Sequence, residues 1–296
     1  MASAFTVERE IVRPPRYRFQ IGMQGTHFSI GISDGTVSRA LPVDWAFGAG
    51  SQAITFVSRL DSQSYLENYL SWYPSLQDFG PTPGQTGLRS NTLDLASGYT
   101  YRSVDPVSGI IKCFECHSTG PVRTGQENRL APSEPGVRCE ACHGPGGRHV
   151  LAASASRPSK ALIANPGKLS AARLNQTCGA CHRAPDGGLM ANPDKAWSVR
   201  YQPIYFARSQ CFLRANGALS CLTCHAPHQP LERDPLAYDK KCVACHPSTA
   251  HRSTAEKPAG SCVGCHMPRV DAQPNLAFTN HWIGVFENET KLRPRR

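Results

Sequence analysis

The chain has 296 residues, enough for one large domain or two small ones, but only 40% of them are hydrophobic, which is low for a large aliphatic core. No apolar run approaches the roughly eighteen residues that a membrane-spanning helix needs, so we expect no transmembrane segment. The formal net charge of +10 would, taken alone, suit an acidic partner such as nucleic acid.

Residues 1–110 contain no cysteine and predict a small β-rich subdomain. Polar and apolar residues alternate over residues 17–21, 27–32 and 53–57, and glycine-rich turns separate these runs. Residues 78–93 are rich in proline and glycine and are expected to form a loop. The predicted subdomain therefore consists of short strands with irregular connections.

All thirteen cysteines lie in residues 111–296, where proline and glycine are frequent and long periodic patterns are missing. We predict a mostly irregular or helical domain here, with short helices. The interior of such a domain must be filled by something other than long hydrophobic helices.

The sequence Cys-x-x-Cys-His occurs six times in this second region. On a helical turn the two thiols and the imidazole share one face, so the thiols can join the two vinyl groups of a haem while the histidine binds its iron. Structural zinc needs four ligands and no adjacent histidine, and a redox cysteine pair would occur once. The repeats therefore predict six covalently attached c-type haems, whose faces supply the domain's core. Numbered 1 to 6 in chain order, the motifs are Cys113, Cys116 and His117; Cys139, Cys142 and His143; Cys178, Cys181 and His182; Cys221, Cys224 and His225; Cys242, Cys245 and His246; and Cys262, Cys265 and His266.

The chain has eleven histidines, and six of them belong to the motifs as proximal iron ligands. Capping every iron on its far side with a second histidine would take six more, and five are present. A proline holds His228 beside motif 4, whereas His27 would have to fold back from the first region. We predict these distal ligands: His27, His149, His228, His251 and His281.

The sixth distal position has several candidates. Met190 and Met23 are preferred, because Met267 directly follows a proximal histidine and cannot reach the far face of its own haem. The spare Cys211, a ligand from another chain and an open position remain alternatives, although Cys211 is more simply a small buried residue. A methionine would raise the reduction potential of that haem, and an open position would admit a small molecule.

Haem binding changes the meaning of the net charge. Twelve propionates would bring it to about −2 in the reduced protein and about +4 in the oxidised protein. Much of the basic excess is therefore expected to neutralise propionates, and nucleic-acid binding is not supported. Arginines near the motifs could pair with propionates through bidentate contacts: Arg138, Arg148, Arg173, Arg183, Arg200, Arg208, Arg214 and Arg269.

Residues 111–285 resemble the broad multihaem family that includes the tetrahaem electron acceptor of hydroxylamine oxidoreductase and the octahaem reductases. The resemblance rests on His143-Gly-Pro-Gly followed by His149, and on His225-x-Pro-His228. In that family the trailing histidines cap neighbouring haems, which implies the same for His149 and His228. The chain also looks like bacterial cytochromes with an N-terminal β region, a Ser-x-Cys-Phe segment at residues 209–212 and a closing His-Trp-Ile. It departs from an all-bis-histidine pattern by one histidine.

These features predict an electron carrier with six haem c groups and no catalytic residues, which docks on other redox proteins, on a membrane redox complex or on copies of itself. The alternatives are an oxidoreductase that acts on a small nitrogen or sulfur compound at one five-coordinate haem, and a structural subunit of an extracellular filament. In the family that the chain resembles, haem attachment takes place on the exported side of the membrane, which implies a periplasmic or extracellular protein. Residues 1–10 lack the apolar segment of a signal peptide, which we expect to have been removed.

Overall fold

The computed structural model describes residues 9–13, 16–88, 90–102, 109–126, 129–183, 192–247, 261–287 and 291–295. The chain forms two compact units, Met1–Ala141 and Cys142–Arg296. Each unit has its own buried apolar clusters. Within the described ranges, no helix is long and apolar enough to cross a membrane.

The first unit begins with a four-stranded antiparallel sheet. In its second strand Tyr17, Phe19 and Ile21 are buried while Arg18 and Gln20 are exposed, as the alternation of side chains along a strand requires. Its strands pair in chain order and are β1 (Arg9–Arg13), β2 (Tyr17–Gln24), β3 (His27–Ser33) and β4 (Ser38–Pro42).

A second antiparallel sheet has five strands arranged around one long strand. Residues 70–73 of that strand pair with the strand that follows it, and residues 64–68 pair with the last strand of the sheet. A short helix, α1 (Leu93–Ser97), precedes the last strand and is capped by Thr92. The strands are β5 (Trp45–Phe47), β6 (Ile54–Arg59), β7 (Ser64–Tyr73), β8 (Asp78–Pro81) and β9 (Gly98–Arg102).

The two sheets pack face to face, and the second sheet carries apolar residues on its other face as well. Phe19 and Ile32 from the first sheet meet Phe56 and Trp72 from the second in one buried cluster. Val57 and Tyr65 lie in a separate cluster with residues of α2 (Ile111–His117). The second sheet thereby supports motif 1. The unit continues with a hairpin of β10 (Ser118–Thr124) and β11 (Leu130–Pro135).

The second unit is built from short helices and one hairpin. Its buried cluster contains Val199, Ile204, Tyr205 and Val270. Three 3-10 helices add single turns, at Lys160–Leu162, Pro166–Lys168 and Ala196–Arg200. A helix that carries motif 2, α3 (Cys139–His143), spans the boundary between the units. The remaining elements are α4 (Gly147–Ser154), α5 (Ala171–His182), α6 (Gln202–Phe206), α7 (Gln210–Arg214), α8 (Cys221–Cys224), α9 (Pro235–Val243), α10 (Cys262–His266), β12 (Arg269–Gln273) and β13 (Leu276–Thr279).

The predicted fold class, a mostly irregular or helical haem-packed domain behind a small β-rich subdomain, is wrong. The structure has thirteen strands in four sheets among its described residues, and nine of the strands form the β-rich N-terminal region. The β10–β11 and β12–β13 hairpins lie within the region that we expected to be irregular or helical.

Two physical reasons explain the error. β7 is buried along nearly its whole length, so it lacks the polar and apolar alternation that marks β2. β10 and β11 contain Gly120, Pro121 and Pro132, residue types that usually interrupt strands. The predicted strands at residues 17–21 and 27–32 lie within β2 and β3, and the expected loop at residues 78–93 includes β8.

The compact units divide between Ala141 and Cys142, further along the chain than residue 110. The division into residues 1–110 and 111–296 was drawn from the distribution of cysteine. It remains a prediction about which part of the chain binds haem.

Candidate functional site

Local helix formation arranges the six motifs. In motifs 1, 2, 3 and 6 both cysteines and the histidine lie in one helix that ends at the histidine, in α2, α3, α5 and α10. In motif 4 the cysteines lie in α8, and His225 follows with an extended backbone. In motif 5 the amides of Cys245 and His246 donate to the carbonyl of Cys242 at 3.2 and 3.0 Å, which continues the turn beyond α9.

Polar residues just before the motifs start several of these helices. The Ser261 hydroxyl accepts from the amide of Gly264 at 3.0 Å, and the Ser170 hydroxyl accepts from the amide of Arg173 at 3.4 Å. Ser220 and Thr223 form a reciprocal capping box on α8. Such caps satisfy amides that a short helix leaves without partners, and they hold each motif in a helical turn.

Two motif histidines are oriented by backbone carbonyls. His143 Nδ1 lies 2.8 Å from the carbonyl oxygen of Ala164, and His266 Nδ1 lies 2.9 Å from that of Gly284. A carbonyl can only accept, so Nδ1 carries the proton and donates. The unprotonated Nε2 of each ring is then the nitrogen that can bind a metal.

The same arrangement holds two of the predicted distal histidines. His149 Nδ1 donates to the carbonyl of Ser159 at 2.9 Å, and His281 Nδ1 donates to that of Thr279 at 3.0 Å. Burial, together with the neighbouring His225 and His182, lowers the pKa of His281 to about 4. The ring of His281 is therefore neutral at pH 7, the form in which imidazole binds iron.

Two predicted distal histidines lie beside motif histidines in the second unit. The ring centroids of His143 and His228 are 5.8 Å apart with an interplanar angle of 18°, and those of His225 and His281 are 6.2 Å apart at 33°. A metal–nitrogen bond of about 2 Å on each side places the ring centres of two opposed imidazoles roughly 6 Å apart. The centroid separations of both pairs are close to this distance.

Cysteine thiols of successive motifs are also neighbours. The thiols of Cys178 and Cys221 lie close enough together that their interaction lowers the pKa of Cys178 and raises that of Cys221. Asn175 from α5 accepts from the amide and the thiol of Cys221 at 2.9 and 3.2 Å. Burial, together with the nearby thiol of Cys262, raises the pKa of Cys242 to about 11. The attachment points of motifs 3 and 4, and those of motifs 5 and 6, therefore lie side by side.

Motif 1 rests on aromatic residues of the second sheet. Phe114 packs edge-on against Trp45 and Phe47, with ring centroids 5.2 and 5.1 Å apart, and the ring of His117 lies 5.3 Å from that of Phe47. Burial and the charge of Glu67 raise the pKa of Cys113 to about 11. Motif 1 is thus anchored in a packed apolar environment.

The structure does not bring every predicted ligand to a motif. His27 and Met23 lie on the β2–β3 hairpin with exposed side chains, and among the described residues of the first unit His27 has no ring contact with His117, the motif histidine of that unit. Met267 directly follows the last residue of α10, and the Cys211 sulfur lies 3.6 Å from the hydroxyl of Ser209. His251 and Met190 lie outside the described residues.

Sequence reasoning missed the groups that orient the histidines. Four of these are backbone carbonyls, which carry no signal in the sequence. It also missed the aromatic partners of two arginines. Arg200 stacks over Trp197 at 4.0 Å, and Arg208 lies 5.4 Å from the ring centre of Trp282. Arg138 lies 3.2 Å from Glu134.

One comparison with known proteins gives a match. The family model described as "Cytochrome c554 and c-prime" matches residues 96–144, which include motifs 1 and 2. The match supports the class of c-type multihaem cytochromes, and with it haem-based electron transfer. No curated protein and no solved structure matches the chain significantly.

Proposed function

We propose that this chain transfers electrons through six covalently bound c-type haems, as a carrier or as the wire subunit of a redox complex or an extracellular cytochrome assembly. The observation that carries the proposal is the set of six Cys-x-x-Cys-His motifs, each on a helical turn. The family match over residues 96–144 supports the same class of protein.

The residues present fit a haem at each motif. The cysteine pairs would hold the porphyrin and the motif histidines would bind its iron, and the carbonyl contacts of His143 and His266 leave the nitrogen that iron needs. When bound, each haem supplies a reversible one-electron store whose potential depends on its axial ligands.

We further propose how the distal histidines are shared. His228 would face His143 of motif 2, and His281 would face His225 of motif 4, because the two pairs have the spacing of opposed ligands. His149, whose Nδ1 donates to a backbone carbonyl as those of His143 and His266 do, would cap a neighbouring haem. His27 and His251 remain proposed ligands on the sequence argument, with Met190 or Met23 at the sixth position.

The thiol contacts support a wire more than a set of separate sites. An attachment cysteine of motif 3 lies near one of motif 4, and an attachment cysteine of motif 5 lies near one of motif 6, since the pKa of Cys178, that of Cys221 and that of Cys242 are each shifted by the neighbouring thiol. Haems attached to neighbouring cysteines would lie close to each other. A short distance between two haems favours rapid electron exchange between them. The carrier would exchange electrons with other redox proteins in the periplasm or outside the cell.

A redox titration of the matured protein tests the proposal. We expect a fully reversible absorbance change that accounts for six electrons per chain, and five in the double variant Cys242→Ala/Cys245→Ala, which lacks the thiols of motif 5. Fewer than six electrons in the unaltered chain, or haems that cannot be reoxidised, would contradict it.

The shortfall of one histidine favours one alternative, an oxidoreductase that acts on a small nitrogen or sulfur compound at a five-coordinate haem. Turnover of such a compound at a rate that exceeds electron exchange with redox partners would support this alternative over the carrier.

A further inference from the structure

The segment Asn280–Gly284, which directly follows β13, touches two candidate haem sites. His281 in this segment lies beside His225 of motif 4, with ring centroids 6.2 Å apart. Gly284 at its end accepts a hydrogen bond from Nδ1 of His266, the histidine of motif 6, at 2.9 Å. A single short segment therefore lies beside the histidines of two different motifs.

Asn280 fixes the start of this segment. The residue is fully buried, and its side-chain Nδ2 donates to the carbonyls of Lys291 and Leu292 at 2.8 and 3.1 Å. Its Oδ1 accepts from the amide of Trp282 at 2.9 Å, so the residues on both sides of His281 are tied together. A buried amide that makes all these bonds holds its backbone in one conformation.

Gly284 fixes the end of the segment through a reciprocal pair of bonds. Its amide donates to the carbonyl of His266 at 3.1 Å, while its carbonyl accepts from the ring of the same histidine. A Cβ atom added at Gly284 would come within 2.5 Å of the Cβ of Pro294. The close approach of residues 291–295 thus leaves room only for glycine at this position.

We infer that residues 280–284 act as one bracket that positions His281 for motif 4 and His266 for motif 6, with Asn280 as its positioning residue. The inference rests on the proposed haem ligation. Gly284 lies three positions after His281, a span of at most roughly 11 Å, so a shift at one end reaches the other. The bracket therefore couples the ligation of one haem to the reduction potential of another.

The direction of each effect follows from the contacts. Without the Asn280 amide, His281 loses the bonds that tie its neighbours and would leave the iron of motif 4 for part of the time. A weaker bond from His266 to Gly284 lowers the basicity of that imidazole, which stabilises ferric iron less and raises the reduction potential at motif 6.

The test compares matured Asn280→Ala with the control variant Asn192→Ala. Asn192 is exposed, and its side-chain oxygen accepts a hydrogen bond from the backbone amide of Asp194, so the control also removes an asparagine side chain that binds the backbone. Low-temperature EPR of the oxidised proteins should show a new high-spin signal of up to one haem equivalent in Asn280→Ala alone. A redox titration should show one further haem shifted to higher potential. A spectrum and titration equal to those of the unaltered chain, with all haems retained, would overturn the bracket but leave the proposed function intact. An unaltered chain without covalent haem would overturn both.

If Asn280→Ala does not yield a haem-loaded protein, a second set of variants tests the same coupling between the two haems. Gly284→Ala should produce both the high-spin EPR signal and the haem of raised potential, because the added methyl group clashes with Pro294. The double variant Gly284→Ala/Pro294→Gly should bring the EPR spectrum and the redox titration back towards those of the unaltered chain. A general loss of folding would not be rescued in this way. If Gly284→Ala is silent, changes only one haem, or is not rescued, the coupling is wrong.

Discussion

At the scale of single residues, several histidines of the second unit share one feature, the hydrogen-bond partner of Nδ1. Four of them donate to a backbone carbonyl, and this group includes two motif histidines and two predicted distal ligands. The shared contact leaves the same nitrogen available in both sets. It is a physical reason, independent of sequence spacing, to regard His149 and His281 as ligands.

Removal of one distal histidine should change one haem only. In His281→Ala or His228→Ala we expect six haems to remain attached, because the cysteines are intact, and one of them to become high-spin, because its far side is open. Carbon monoxide binding should increase by about one equivalent per chain, and optical titration of the reduced protein measures it.

The neighbouring Gln229→Ala serves as the control for His228→Ala, since Gln229 is exposed and lies next to the proposed ligand. An unchanged carbon monoxide titration in both histidine variants would show that these residues are not ligands.

At the scale of elements, short helices carry the motifs, and their neighbours hold them in place. α2 depends on aromatic packing against the second sheet, whereas α5 and α8 are joined through Asn175. None of these helices is long enough to be stable alone, so their conformation depends on tertiary contacts and on haem attachment. The second sheet therefore forms part of the core of the first unit and also holds the helix of motif 1 in place.

Phe114→Ala tests that support. Phe114 is 2% exposed between Trp45 and Phe47, so truncation should destabilise the first unit by about 3 kcal/mol and loosen α2. Thermal unfolding followed by circular dichroism measures the loss.

Phe212→Ala serves as a control for the loss of an aromatic ring, because Phe212 packs against Phe206 in the second unit and is partly buried. If Phe114→Ala unfolds at the same temperature as the unaltered chain, the packing of α2 on the second sheet does not stabilise this unit.

At the scale of the whole molecule, the sequence predicts features that depend on neighbouring residues, and it does not predict features that depend on contacts between distant residues. The alternation of Tyr17, Phe19 and Ile21 with polar residues predicts a strand. The Cys-x-x-Cys-His motif places all its functional residues within five successive positions, so it predicts haem attachment without any distant contact. The burial of β7 arises from contacts with distant residues, so its sequence does not show the alternation of an exposed strand.

The candidate site divides in the same way. The motif residues could be identified from spacing alone, but spacing could not distinguish His281, which lies beside His225, from His27 on an exposed hairpin. The carbonyls of Ala164 and Gly284 were beyond prediction, since any residue supplies a carbonyl and only the fold decides which one meets a histidine.

The count of histidines predicts that one haem of the unaltered chain differs from the other five. An open position would give a high-spin EPR signal and binding of cyanide at one site, and a methionine ligand would give one haem of distinctly higher potential, since axial ligands tune potentials over a range of about 0.8 V. A ligand from another chain would make the spectrum depend on assembly. Six indistinguishable bis-histidine haems in an isolated monomer would refute this prediction.

The central claim, that every motif holds a haem, is tested most directly by the mass of the matured protein after acid–acetone extraction, which removes haem that is not covalently attached. We expect a mass that exceeds that of the polypeptide by six haems, because six pairs of motif cysteines are present. A fully matured protein that retains five or fewer would contradict it.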